Sequence, residues 1–191
     1  MKQLYWDSVE EEQKFFFTMT KRGVNFVSSP GRFLSEIYDF YPGQEYDLEY
    51  KYEEKQTKPV KEQLEEYLTG KREQFDVPLD LTDTGTEFQQ QVWRAIQAIP
   101  YGQTITYKQL AEQVGRPEAV RAVGHAVAMN PLLILVPCHR VIKANGDLGK
   151  YRGGVAAKQK LLELEQTVIT KKAAPRRLPL PHLSQLNRPG L

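Results

Sequence analysis

The chain is poor in the residues that staple or clasp a small fold. It holds one cysteine, Cys138, in 191 residues, so no disulfide can form within it, which points to a reducing cytoplasm. Its three histidines are His125, His139 and His182, and only His139 lies beside the cysteine. Thiolates and imidazoles are too few and too scattered for a structural zinc site, and no metal is expected. No apolar run approaches the ~20 residues that span a bilayer, so no membrane contact is expected. The N-terminus, "MKQLYWDSVEEEQKFFF", turns acidic before any apolar stretch and does not read as a secretory signal. Acidic residues stop after Gln166, where four prolines fall within 25 residues. Residues 167–191 therefore read as a basic, extended tail.

What is present suffices for a packed core. Apolar residues make up 40% of the chain and aromatics 10%, which fits one ordinary domain or two small ones. The net charge of +2 conceals an asymmetry. Residues 1–88 carry 11 basic and 19 acidic side chains, a net of −8, against 15 and 5, a net of +10, for residues 89–191. Part of that excess belongs to the tail, yet residues 89–165 alone keep +5. The second half is thus suited to face a polyanion.

Three regions follow in order. Stretches such as "GVNFVSS" and "GRFLSEIYDFY", separated by the turn signals "SPGR" and "YPGQ", predict a small antiparallel sheet over residues 1–56. "EEKQTKP" reads as a linker, and "VKEQLEEYLTGK" as a short helix with Val60, Leu64, Tyr67 and Leu68 on one face and Gly70 at its end. Residues 1–80 form one expected domain and 85–166 a second. In the second, a helix begins after Thr84 or Thr86 and carries Phe88, Val92, Trp93 and Ile96. Two short helices, 107–114 and 118–129, are joined by "VGRPE" as a helix-turn-helix. Small residues crowd the second of them: Ala119, Ala122, Gly124, Ala126 and Ala128. Ala119, Ala122 and Ala126 share a face at i, i+3 and i+7, and Gly124 costs up to ~1 kcal/mol in a helix interior. Tight helix packing and close approach to a DNA groove both explain the pattern. Arg121, placed to reach a phosphate or the base stack, favours the groove.

The chemistry concentrates in "ILVPCHRVI". A lone cysteine in an apolar run is ordinarily core filler. Here the Pro-Cys-His-Arg grouping and the glycine-rich "NGDLGKYRGG" that follows count against filler. A thiol with a free pKa of ~8.5 needs a neighbouring base to act as a nucleophile. Adjacent side chains in an extended segment point to opposite faces, so Cys138 and His139 require a bend at Pro137 or a water between them. The imidazole in turn needs a carboxylate, and Glu163 and Glu165 are the downstream candidates.

Taken together, "NPLLILVPCHRVI", "GDLGKYRGGVAAKQKLLELE" and the upstream "TEFQQQVWRAIQAIPYGQTITYKQLAEQVGRPEAVRAVGHAVAMNP" resemble the O6-alkylguanine-DNA alkyltransferase family, also called methylated-DNA–protein-cysteine methyltransferases. The similarity runs from about Leu64 to Glu165. It implies an α+β fold, with a small antiparallel-sheet, ribonuclease-H-like N-terminal domain and a mainly helical, winged helix-turn-helix-like C-terminal domain. It implies DNA repair without a cofactor, by single-turnover transfer of an alkyl group from O6-alkylguanine, with O4-alkylthymine left open, to Cys138. The partner implied is double-stranded DNA, bound through the minor groove with the base flipped out, by a monomer whose cooperativity on DNA is open.

The resemblance also assigns roles. His139 acts on Cys138 through a water and is oriented by Glu165 rather than Glu163, while Tyr107 protonates the guanine ring. Arg121 fills the space of the flipped base, on a helix that approaches through Ala119, Ala122, Gly124 and Ala126. Asn130 holds the turn into an active-site strand flanked by Pro137, Arg140 and Val141. Tyr151 and Gly153 wall the base pocket, Lys158 lines it, and Arg152 brings charge to its mouth where some relatives carry a small residue. Non-enzymatic relatives carry tryptophan at the cysteine position, which Cys138 contradicts. A helix-turn-helix regulator would leave the Cys-His-Glu spacing unexplained, and a cysteine peptidase finds no matching signature.

Overall fold

The computed structural model describes residues 2–43 and 48–173. Four strands open the chain: β1 (Lys2–Glu10), β2 (Lys14–Met19), β3 (Val24–Val27) and β4 (Leu48–Tyr52), in sheet order β3-β2-β1-β4. The first three pair antiparallel, but β4 runs parallel to β1, with Lys2 opposite Leu48. The expected sheet is therefore mixed rather than wholly antiparallel. Both of its faces are covered, which decides the burial pattern of β1. Asp7 meets the first long helix, α1 (Glu54–Leu68), through Thr57 and Lys61. Leu4, on the opposite face, packs with Phe26, Ile37, Phe40 and Tyr41 around the 3-10 helix Leu34–Asp39.

The stretch "EEKQTKP" is not a linker. It supplies the first turns of α1, with Pro59 inside the helix. Pro59 and Lys55, whose carbonyl it cannot serve, both lie on the exposed face, so water can satisfy that carbonyl. Gly70 (φ +72) ends the helix in a Schellman motif, the Lys71 N–H donating to the Glu66 carbonyl and the Gly70 N–H to that of Tyr67.

The second region is helical: α2 (Glu87–Gln97), α3 (Tyr107–Gln113), α4 (Val120–Ala128) and α5 (Val155–Ala173). Thr86 with Gln89 and Thr106 with Gln109 form reciprocal capping boxes that fix where α2 and α3 start. Trp93, only 1% exposed, donates its indole N–H to the Ala126 carbonyl at 2.8 Å and ties α2 to α4. Its removal would cost about 3–5 kcal/mol. One apolar core runs unbroken from Val9 and Phe17 through α1 to α2, α4 and Leu161 of α5.

The short strands β5 (Ile105–Thr106) and β6 (Val141–Ile142) pair in parallel, Ile105 opposite Val141. That pairing brings Tyr107, directly after β5, to Cys138, three residues before β6. α5 runs seven residues past Gln166, so residues 167–173 are helical rather than extended tail. The remainder of the tail lies outside the described residues. Among those residues no helix is long and apolar enough to cross a membrane.

Candidate active site

Cys138 does not sit on a strand. Between Pro131 and Pro137 the buried chain folds through tight turns, with the Val136 N–H bonded to the Leu132 carbonyl and that of Leu135 to Leu133. Ile134 is held at φ +72, a conformation that costs a β-branched residue about 1–3 kcal/mol. Pro137 (φ −79, ψ 60) makes an inverse γ-turn, its neighbours joined by a Cys138 N–H bond of 2.7 Å to the Val136 carbonyl. Cys138–Arg140 then form one turn of 3-10 helix. The bend at Pro137 is thus real, and it replaces the active-site strand expected from sequence.

Asn130, fully buried, ties this segment together. Its Oδ1 accepts the Leu132 N–H at 2.9 Å, and its Nδ2 donates to the Val136 carbonyl at 2.9 Å and to Cys138 Sγ at 3.1 Å. The amide therefore holds both the turn and the sulfur.

His139 points the other way, into a buried polar network. Its Nε2 lies 2.7 Å from Glu165 Oε1 and 3.2 Å from the Tyr67 hydroxyl. Glu165, on α5, also accepts from Arg140 Nη2 at 2.9 Å, from the Tyr67 hydroxyl, and from the Gly102 N–H at 2.7 Å. Arg140 donates as well to the Ile99 carbonyl at 2.7 Å. Glu163 is exposed on the opposite side of α5. His139 Nδ1 has no hydrogen-bond partner among the described residues. With an ionised carboxylate on Nε2, the proton sits there and Nδ1 carries the basic lone pair.

Burial and the buried hydrogen bonds together set the protonation states. Burial alone would raise the Glu165 carboxyl, but hydrogen bonds from His139, Arg140 and Tyr67 outweigh it and hold that group at about 2. Burial lowers His139, against the pull of Glu165, which keeps the imidazole neutral at pH 7. Burial raises the Cys138 thiol despite the Asn130 hydrogen bond, so the resting sulfur is protonated. Tyr107 is raised by burial too and stays a neutral donor.

A cleft of about 780 Å³ opens over Cys138. Tyr107, Arg121, Gly124, Gly149 and Tyr151 form much of its wall, and among the described residues no acidic side chain lines it. Lys108, Lys143 and Lys150 add positive charge at the rim. Tyr151 stands edge-on to His139, ring centroids 6.5 Å apart. Gly153 has to be glycine here, since a Cβ would lie 2.8 Å from the Tyr151 ring and 3.0 Å from Pro30.

Three expected residues do other work. Lys158 does not line the cleft: fully buried, its Nζ donates to the carbonyls of Val141, at 2.5 Å, and Leu148. It thereby ties the glycine-rich loop to β6, and burial lowers its pKa to about 8. Arg152 lines the cleft as expected, but its guanidinium turns inward, toward Glu36 and the backbone of Val27 and Asn130. Ala126 lies on the core face of α4, whereas Arg121 and Ala122 are exposed and Ala119 and Gly124 half-buried.

Comparison with known proteins decides the family. Residues 87–167 match the 6-O-methylguanine DNA methyltransferase, DNA binding domain. An inducible methylated-DNA–protein-cysteine methyltransferase of Bacillus subtilis is 40% identical over 177 residues, 90% of this chain and 96% of that one. The chain belongs to the methylated-DNA–protein-cysteine methyltransferase family. A family member from Mycolicibacterium paratuberculosis is 55% identical over 105 residues, which span 55% of this chain and 62% of that relative. Among solved structures, Mycobacterium tuberculosis OGT in complex with DNA superposes with a TM-score of 0.71 at 34% identity, covering 86% of this chain and 94% of that one. The methyltransferase from Pyrococcus kodakaraensis gives 0.65 at 25% identity, covering 85% and 98%.

Several residues of this family member's site were not legible in its sequence. Tyr67 looked like one more apolar residue of an amphipathic helix, yet its hydroxyl reaches Glu165 across 98 positions. The rim lysines Lys108, Lys143 and Lys150 carried no signal beyond the basic bias of the second half.

Proposed function

We propose that this chain repairs alkylated DNA by direct reversal, moving the alkyl group from O6 of guanine to Cys138 once per molecule. The observation that carries the reading is a buried thiol at the floor of a cationic cleft, beside a histidine whose Nε2 is committed to a buried carboxylate. A side chain only 3% exposed cannot reach a base within the stack, so the nucleotide must be flipped into the cleft, at a cost of a few kcal/mol. Arg121, exposed on α4 at the edge of the cleft, fills the gap from the minor groove, and the rim lysines neutralise phosphates.

The chemistry balances without a cofactor. Cys138 passes its proton through a water to His139 Nδ1, and the Glu165 carboxylate stabilises the imidazolium. The thiolate attacks the alkyl carbon, an S–C bond forms, and the electron pair of the broken C–O bond returns to the guanine ring. Tyr107 donates its proton to the ring as that charge develops, giving neutral guanine, and in the net reaction the proton lost by the thiol returns to the Tyr107 oxygen. Asn130 holds the sulfur in line. A thioether offers no leaving group for the reverse step, so the protein is consumed. The nucleophile must stay reduced, which suits the cytoplasm, and one chain supplies every catalytic group, which suits a monomer.

Cys138→Ser tests the reading. It should abolish transfer while duplex binding persists. Retained transfer would reject Cys138 as the acceptor.

A further inference from the structure

Arg152 lines the cleft, yet its guanidinium bonds run to the sheet domain and to the segment that leads to Cys138. Its guanidinium pairs with Glu36 at 3.0 Å and donates to the carbonyls of Val27, at 2.8 Å, and Asn130, at 3.1 Å. It stacks 4.5 Å from the ring of Phe40 and 5.5 Å from that of Phe26. Glu36 is fixed in turn, accepting both the N–H and the hydroxyl of Ser29 at 2.6 Å. The same Ser29 hydroxyl accepts from Arg152 Nη1 at 3.4 Å. Both charged side chains are nearly buried, with relative exposures of 12% and 8%.

The lock joins three parts of the molecule. Val27, Ser29, Glu36 and Phe40 belong to the sheet domain. Asn130 holds the Cys138 sulfur, and Tyr151, next to Arg152 in the chain, is a wall of the cleft. A bound planar cation with several short bonds leaves the peptide beside it little freedom. We propose that Arg152, locked onto Glu36, is a positioning residue that fixes the Tyr151 wall, so that the N-terminal domain sets which alkyl groups the cleft admits. The proposal rests on the alkyl-transfer reading. A charge swap would not preserve the lock, because a carboxylate at position 152 would face the carbonyls of Val27 and Asn130.

The test is single-turnover transfer of methyl and of benzyl from O6 of guanine in the same duplex. Freeing the wall should penalise the small group more than the large one. In R152A the benzyl-to-methyl rate ratio should rise roughly tenfold, the equivalent of one charge-assisted hydrogen bond. E36Q, which keeps one oxygen for the Ser29 N–H and Arg152 but replaces the other with an uncharged N–H donor, should move the ratio in the same direction by less. The double variant should go no further than R152A, as expected of residues acting as one unit. A lowered melting temperature with an unchanged ratio in both single variants would reduce the lock to a structural brace and overturn the proposal. If R152A does not fold, E36Q decides alone, and an unchanged ratio there overturns it equally. Failure of the unaltered protein to transfer either group would overturn the alkyl-transfer reading itself, whereas transfer with a ratio indifferent to both positions overturns only the lock.

Discussion

His139 Nε2 lies 2.7 Å from Glu165 Oε1, and Arg140 grips the same carboxylate from the residue next to the histidine. One buried anion therefore sets the histidine's tautomer and is itself held in place by an adjacent cation. Cys138 precedes this pair at a bend, with Asn130 on its sulfur. We propose that thiol, base and carboxylate act in sequence, with a water between Cys138 and His139, from the floor of the cleft into the core.

Glu165→Gln should separate catalysis from binding. A neutral amide no longer fixes the proton on Nε2 or stabilises the imidazolium, so single-turnover transfer should slow by about 10²-fold or more. Affinity for unmodified duplex should change little, since Glu165 is buried away from the cleft. Unimpaired transfer would remove Glu165 from the mechanism.

The pH dependence should have two separate acid limits. Burial lowers His139 from 6.5, so transfer should decline only below pH 6.5, where the imidazole takes a proton and can no longer act as a base. An acid limb at or above pH 6.5 in the single-turnover rate would contradict a buried neutral histidine. Stability follows Glu165, which is lowered from 4.5 to about 2 on folding. Between those values the unfolded chain binds the extra proton, so this contribution is complete above pH 4.5 and lost as the pH falls toward 2. At most it amounts to about 3 kcal/mol, readable from denaturant melts across that range.

Arg121 and Lys150 both reach the cleft, yet their losses should differ in kind. Arg121→Ala should slow repair of duplex more than of single-stranded substrate, because only duplex leaves a gap to fill. Lys150→Ala should weaken binding to any sequence and flatten the salt dependence by about one unit of log–log slope. Equal losses on both substrates for Arg121→Ala would contradict the gap-filling role, and an unchanged slope would remove Lys150 from the phosphate contacts.

Much of the second region was legible because its signals are local. Thr86 and the "VGRPE" joint act within a few residues of the helix ends they set, and the Pro-Cys-His-Arg grouping is contiguous. The misreadings concern partners far apart in the chain. β4 pairs parallel to β1 across some 46 positions, an arrangement that no alternation pattern within β4 can announce. "EEKQTKP" looked like a linker because it is wholly polar up to Pro59, whereas it supplies the largely exposed first turns of α1, where that proline is tolerated. "LLILVPCHRVI" looked like a strand because it is apolar and β-branched. Asn130, at its start, turns it into a series of tight turns. Arg152 read as a surface charge because nothing nearby in sequence reveals Glu36, 116 positions away.

The most direct measurement is the mass of the peptide that holds Cys138 after incubation with a duplex carrying O6-methylguanine. The account predicts one added methyl group on Cys138 per repaired guanine, and no second round on fresh substrate. An unmodified Cys138 with the DNA still methylated, or repaired DNA with the methyl group on another residue, would contradict it.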